Sequence, residues 1–520
     1  MSHGRIKITT DIVPTGNIAE DKAIIPFIIK NAKALHDINV ADMKRLRDYY
    51  YNETDIQNKE KTQQPDINNK IGIADASVVV TTINAYCFAN PLTISSRNSE
   101  RQEEIQALLD AVDSDNYNQK TMHTVLDSGI YGLGYKYVRP ANSEERENGL
   151  FFRTFAEIDP LTTFCVYNNS LEKEKVLAVH YYNKTIYDQN LRQLVTRTEY
   201  DCWTKTHQWH FIDMQGQLVN QTYNVIGADG SLVEFDAYPL IYNRIPIVEY
   251  ERKQDRTGDF ELAIDLINAI NALASARLDL VEQKSDYMLL LRDIDIKGEA
   301  LDRVKKAIKD GILAFESNGA NNAIQPDVSV LDIEVNQTQL QSLQDFLLEQ
   351  LEEVTHIPNR DSRTSGSDTG MAVEGRNGYR SLENIAGLVT SCALEAENEM
   401  FDIILDIAKT YDDCPFKDLE TKDIEIKSNR NKVENLINST QAYATLRSAG
   451  MCDVEALRIT NLTSDPINTA KMNEEQRVKD ADFEYENEKR LAEISNTTST
   501  VIDTSNELDV PASGANIEGQ

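Results

Sequence analysis

Asp368-Thr-Gly370 spells the triplet that supplies the carboxylates of aspartic proteases. Those enzymes need two such carboxylates sharing one water, each on a turn that follows an apolar strand. Here Ser365-Gly-Ser367 precedes the triplet and the chain contains no second one, so protease chemistry is not supported. Cys202, His207 and His210 lie close enough in sequence to be weighed as zinc ligands. Zinc sites draw three or four N or S ligands into a constrained geometry. The surrounding residues, with Trp203 and Trp209 among them, read instead as two strands joined by a turn. Gly132-x-Gly134 lacks the third glycine of a dinucleotide fingerprint and follows a helix rather than a strand, so it reads as a helix-ending turn. The chain has no GxxxxGK[ST] loop, which excludes a P-loop nucleotidase. Paired acids such as Asp293-x-Asp295 and Asp412-Asp413 are expected to be solvated faces rather than two-metal centres. No catalytic residue, metal or cofactor is expected.

The more informative side chains are cations in an acidic chain. The sequence holds 85 acidic and 53 basic residues over 520, a formal net charge of −32. Tight grip on DNA requires a basic face that neutralises phosphates, and the overall balance argues against it. Arg360 and Arg363 are the only cations in the polar run Asn359 to Gly370, and Arg376 and Arg380 follow closely. Arg303, Lys305, Lys306 and Lys309 fall within one short helical stretch. Six cysteines, scattered without a CxxC pair, suggest free thiols in a reducing compartment. No apolar leader segment and no run of membrane-spanning length is evident, so the expectation is a soluble protein of the cytoplasm where it is made.

The elements that would carry these residues can be read from periodicity. Residues 20 to 52 show helical spacing and are read as two short helices, with a polar loop over 55–69. Helices are expected at 74–89, 100–112 and 117–131. Short β-branched and aromatic runs from 151 to 250 imply an antiparallel β-rich module. Asp259 suits the N-cap of a helix running to about Leu291. A small α/β excursion follows to Asn336, then a helix over 337–356 with Leu340, Leu343, Leu347, Leu351 and Val354 on one face. The segment 359–370 is too polar to join a core. Beyond it come a helix from Met371 to about Tyr411, a strand at 423–427, helices at 432–449 and from Asp453, and a charged helix over 467–494. From Ser495 too little apolar surface remains to offset ordering entropy, so that tail is expected to be disordered.

This order of parts resembles the portal family of tailed double-stranded DNA phages, particularly the type found in siphophages of Gram-positive hosts. Local segments resemble it too. Ile73 to Ser95 is similar to the family's helix followed by "GkPvti", with Ala89-Asn90 in place of Gly-Lys. Asp127-Ser-Gly-Ile-Tyr-Gly132 is similar to its "d.gi.G" turn before a strand. Ile245-Pro-Ile-Val-Glu249 with Gly258-Asp-Phe-Glu261 is similar to "iPvvef…sdfe". Gly370-Met-Ala372 is similar to "sGvA", and Ala449 to Glu455 to "GiiS.e", with Asp453 replacing Ser.

The resemblance implies a predominantly helical α+β portal fold that assembles as a ring of about twelve copies. It implies a wing over 1–258, stem helices at 259–291 and 337–357, and a clip at 292–336. A tunnel loop would span 358–372, a long helix returning to the wing 373–430, crown helices 431–494, and an acidic tail 495–520. It further implies a channel at one capsid vertex, through which double-stranded DNA is packaged and ejected. The implied partners are the terminase large subunit, major capsid and scaffolding proteins and a head–tail adaptor, with no membrane; the place is the virion, after assembly in the host cytoplasm. Within that frame Arg360, Asp361, Ser362, Arg363, Ser365, Ser367 and Asp368 become tunnel-loop residues near DNA. Arg360 and Arg363 could instead pair with Asp361 and Asp368 of a neighbouring copy. Arg376 and Arg380 become DNA or subunit contacts. The basic clip residues Arg303, Lys305, Lys306 and Lys309 could meet the motor, an adaptor or DNA, or form a solvated face. The alternative readings are another virion structural protein of tail or baseplate, or an acidic metal-dependent enzyme.

Overall fold

A computed structural model describes residues 4–62, 65–97, 101–188, 192–226, 232–285, 289–292, 327–330, 337–358, 379–430, 436–460, 462–463 and 466–503. The helices are α1 (Ile18–Tyr50), α2 (Asp75–Phe88), α3 (Gln102–Ser114), α4 (Tyr117–Tyr131), α5 (Ser143–Glu147) and α6 (Ile264–Ser285). They continue with α7 (Gln337–Thr355), α8 (Tyr379–Ala408), α9 (Leu436–Ser448), α10 (Asp453–Thr460) and α11 (Pro466–Asp503). The strands are β1 (Thr9–Thr10), β2 (Thr93–Ser96), β3 (Leu133–Pro140), β4 (Phe152–Phe155), β5 (Thr163–Asn168), β6 (Lys175–Asp188), β7 (Gln193–Trp203) and β8 (His207–Met214). Then come β9 (Gln217–Gln221), β10 (Tyr223–Ile226), β11 (Leu232–Phe235), β12 (Tyr238–Pro239), β13 (Ile247–Glu251), β14 (Leu289–Arg292), β15 (Asp327–Val330) and β16 (Ile424–Lys427). The chain forms two compact units. The first comprises Met1–Leu92, Asp110–Asp418 and Ser428–Asn431; the second comprises Thr93–Leu109, Leu419–Lys427 and Lys432–Gln520.

In the first unit a seven-stranded sheet runs β1-β5-β6-β7-β8-β12, with β9 also paired to β8. It is antiparallel apart from β1, which lies parallel to β5. Alternation puts Phe164, Val166, Tyr200, Cys202, Trp209 and Phe211 on one face, where α1 covers them with Ile25, Ile28, Ile29 and Ala32. Trp209 and Phe211 stack within this core at 6.1 Å between ring centroids. A second sheet, β13-β3-β4, carries the start of α6 and packs against α4 and α8.

α1 is one helix of 33 residues, not the two short helices expected from the sequence. Its buried positions include Asp21, Ile25, Ile28, Ala32, His36, Asn39, Met43 and Leu46, an unbroken stripe at three- and four-residue spacing. Two polar members disguised it. His36 Nε2 meets the Leu161 carbonyl at 3.2 Å, and burial lowers its pKa to about 4, which keeps the ring neutral. Asn39 accepts from the Ile6 amide at 2.8 Å and donates to the Ile6 carbonyl at 2.9 Å, so the segment before the helix is held as part of the fold.

α4 ends where the sequence placed it. Gly132, at φ +82°, donates to the Ser128 carbonyl at 2.9 Å, and β3 starts at the next residue. A Cβ at Gly132 would lie 2.2 Å from the Arg256 carbonyl oxygen, so both conformation and space demand glycine.

In the second unit β2 and β16 pair antiparallel, with Ile94 opposite Ile426. Gly450, at φ +89°, closes α9, and Met451 donates back to the Leu446 carbonyl at 3.1 Å. Asp453, the expected helix start, joins three helices: it accepts from Tyr443, from Arg447 Nε at 3.0 Å and from Asn473 Nδ2 at 3.4 Å. α11 continues to Asp503, past Ser495 where disorder was expected to begin. Once a helix is nucleated, each added residue contributes its own backbone bond, so polar composition alone did not stop it. Among the described residues no helix is long and apolar enough to cross a membrane.

Candidate functional site

α6 and α7, which precede and follow residues 292–336 in the chain, are anchored in the first unit by polar contacts. Asp259 does not cap α6 as expected. Its carboxylate is spent on a fully buried pair with Arg252, at 2.9 Å to Nε and 2.6 Å to Nη2. A 3₁₀ turn at Glu261–Ala263 leads into α6 instead, and Glu261 reaches back to the Gly258 amide at 3.0 Å and binds Arg5. The start of the helix is therefore held by charged side chains from β13's exit and from the N-terminal segment.

Along α6 the residues Asn271, Ser275 and Asp279 are buried at four-residue spacing. They accept the backbone amides of Ile73 at 2.8 Å, Ile71 at 2.9 Å and Asn69 at 2.7 Å. Two residues of extended chain advance about 6.6 Å, and four residues of helix rise about 6 Å. The repeats match, so the polar segment after α1 docks lengthwise on the helix. Lys59, at 2.9 Å, and Lys61, at 3.4 Å, close the same Asp279 carboxylate; burial acts to raise its pKa, but the hydrogen bonds from Asn69 and Lys59 hold it below the ordinary carboxylate range.

α6 ends at Ser285, short of the expected Leu291. Leu289–Arg292 is strand β14, paired antiparallel with β15, Leu289 opposite Val330 and Arg292 opposite Asp327. The leucine run is a good helix former, and strand pairing overrides that local preference. β14 and β15 thus bring Arg292 and Asp327 to one place. α7 packs beside α6, where Arg277 donates to Gln341 at 3.1 Å and also binds Gln344. Of the apolar face expected on α7, Leu351 is buried, whereas Leu343 and Val354 are exposed.

α7 closes with a histidine where glycine is usual. His356 has φ +60°, and Ile357 donates back to the Glu352 carbonyl at 3.1 Å. The His356 ring lies 2.7 Å from Ser381 Oγ in the first turn of α8, which ties together the two ends of segment 359–378. Burial, then the Lys253 charge, lowers the His356 pKa. α8 is fixed further along by Glu397, buried beside Lys136 at 2.9 Å. That carboxylate also accepts from Tyr250 at 3.0 Å, Thr121 at 3.1 Å and Tyr117. Burial lowers the Lys136 pKa, while burial and the Glu397 charge push both phenols well up.

Of the residues singled out from sequence, Arg380 lies exposed in the first turn of α8. Arg360, Asp361, Ser362, Arg363, Ser365, Ser367, Asp368 and Arg376, and the clip residues Arg303, Lys305, Lys306 and Lys309, lie outside the described residues. Cys202 sits in the core opposite Trp209, whereas His210 lies in the other set of the alternation and meets Asp201 at 2.7 Å. Asp413 pairs with Arg146 at 2.6 Å.

Residues 29–490 match the SPP1 Gp6-like phage portal protein family. The chain belongs to that family. Its function is that of a phage portal, a structural role in genome packaging. The matched span begins inside α1 and ends inside α11, so this portal's family resemblance takes in both units. A comparison with curated proteins gives no match. Portal proteins as a class form rings at the capsid's portal vertex and engage DNA, capsid and terminase. The anchoring residues Lys136, Glu397, Asn271, Ser275 and Asp279 were not foreseen from sequence. For Asn271, Ser275 and Asp279 the signal was there in part, as polar residues at four-residue intervals along α6.

Proposed function

We propose that about twelve copies of this portal close into a ring whose channel passes double-stranded DNA during packaging and ejection. In this reading residues 1–258 are the wing, α6 and α7 the stem, 292–336 the clip, 358–372 the tunnel loop and 431–494 the crown. The family match over 29–490 carries the reading. A supporting feature is the apolar surface that the paired helices leave open: Leu278 and Val281 on α6, and Leu343, Phe346 and Val354 on α7, are 38–54% exposed. Exposed apolar surface of this kind marks an interaction site, and a neighbouring copy would cover it.

The charge suits a conduit. Twelve chains at −32 give a formal −384. A wall that attracted phosphates along its length would hold DNA by counterion release, and an acidic wall lets it slide. Sparse cations would then make transient contacts. Arg360 and Arg363 are proposed for the tunnel loop, with Arg376 and Arg380 beside it. The clip cations Arg303, Lys305, Lys306 and Lys309 are proposed to dock the terminase large subunit and later a head–tail adaptor. Capsid and scaffolding proteins would meet the outside of the ring.

The test is the double variant Arg360→Ala/Arg363→Ala. Rings should assemble with unchanged thermal stability, since exposed substitutions move stability by under about 0.5 kcal/mol, and each head should retain less DNA. Full heads that hold their genome would remove the DNA-contact role. Loss of the rings themselves would favour pairing of these arginines with Asp361 and Asp368 across copies.

A further inference from the structure

The outward face of α1 carries a second apolar stripe that the fold of a single chain does not use. Phe27, Ala34, Leu35, Ile38 and Ala41 are all exposed, Phe27 at 55% and Ile38 at 50%. They share one side of the helix, opposite the buried stripe. From Phe27 to Ala41 the stripe is about 21 Å long at 1.5 Å per residue. Helices at the surface of soluble monomers place polar residues on that side. The stripe is interrupted by exposed Lys30 and Asn31 between Phe27 and Ala34, and apolar surface gathered on one side, rimmed by polar residues, is the kind that partners cover.

Charge identifies the occupant. In a chain of net −32, copies repel one another over most of their surface. α1 is an exception, with six basic and five acidic residues. Lys30 and Lys44 are exposed beside the stripe, and Asp37, the acid closest to its middle, is paired with Lys33 at 2.5 Å. This is a place where another acidic copy can approach without like-charge repulsion and find apolar contact at the centre. Head-to-tail ring contacts join two unlike patches of the same chain, so a face distinct from the open side of α6 and α7 is what ring closure needs.

We infer that the outer face of α1 is a contact between adjacent copies in the ring, covered by an acidic surface of the next subunit. This rests on the ring proposed above and adds one of its surfaces.

The experiment uses the full chain. Phe27→Glu/Ile38→Glu places two acids on the stripe, where they are repelled by the neighbour and solvated in the free protomer. The variant should keep the wild-type circular dichroism and thermal midpoint yet give at least tenfold fewer rings by mass photometry and negative-stain imaging. Independently, a benzoylphenylalanine photocrosslinker in place of Ala34 should join copies into dimers within assembled rings, and this readout holds even if the double variant is unstable. Normal rings from the folded variant, or crosslinks to the capsid protein and not between copies, would overturn the inference while leaving the ring intact. A wild-type chain that forms no rings would overturn the ring reading and this surface with it.

Discussion

Glu397 accepts from one ammonium and three hydroxyls inside the first unit, and its side chain is 1% exposed. Charges taken out of water are tolerable only when fully partnered, because the desolvation cost of each ion is several kcal/mol. The arrangement links α4, β3, β13 and α8, so each of those elements is fixed in register by one carboxylate. Changing Lys136→Met would leave that carboxylate buried without its counter-charge. We expect a loss of about 3–5 kcal/mol, the range measured when one partner of a buried pair is removed. Urea unfolding of the variant checks this, and a loss below about 1 kcal/mol would mean that water already reaches the pair.

At the scale of elements, what the sequence disclosed depended on whether a polar residue faced solvent. The ends of α4 and the strands β5, β7 and β8 were legible, because glycine in the left-handed region and period-two alternation are local signals. α1 was split in the reading because His36 and Asn39 sit on its buried stripe, satisfied by carbonyl and amide partners far away in sequence. Asp259 read as a cap because nothing local reveals that Arg252 claims it. The docking of 69–73 on α6 was invisible for the same reason: Asp279 resembles a surface acid until its donors are known. That element-scale contact makes its own prediction. Asp279→Ala removes the acceptor for the Asn69 amide and for two lysines. Stability should fall by about 1–3 kcal/mol, the cost of leaving a buried polar group without its partner. Hydrogen exchange should speed up at Asn69, Ile71 and Ile73 while β7 and β8 keep their protection. Unchanged exchange at these three amides would show that Asn271 and Ser275 suffice.

At the scale of the whole molecule, the proposed ring asks an acidic chain to meet copies of itself, and the two requirements oppose each other. At −32 per copy the repulsion between neighbours is long-ranged in dilute salt, where the screening length is about 30 Å at 0.01 M, and it shortens to about 10 Å at 0.1 M. Apolar contacts such as those proposed for α1, α6 and α7 would gain nothing from dilution of salt. Ring assembly should therefore strengthen as sodium chloride rises from 0.01 to 0.15 M, with the fraction of copies in rings, measured by mass photometry at fixed protein concentration, increasing through that range. Contact with DNA runs the other way, since each phosphate neutralised by an arginine releases a counterion and binding falls as salt rises. One titration thus separates the forces that build the ring from those that touch its cargo. If rings instead came apart as salt rose, ion pairs between copies would be holding them, and the pairing of Arg360 and Arg363 with Asp361 and Asp368 of the neighbour would replace the apolar contacts as the source of cohesion.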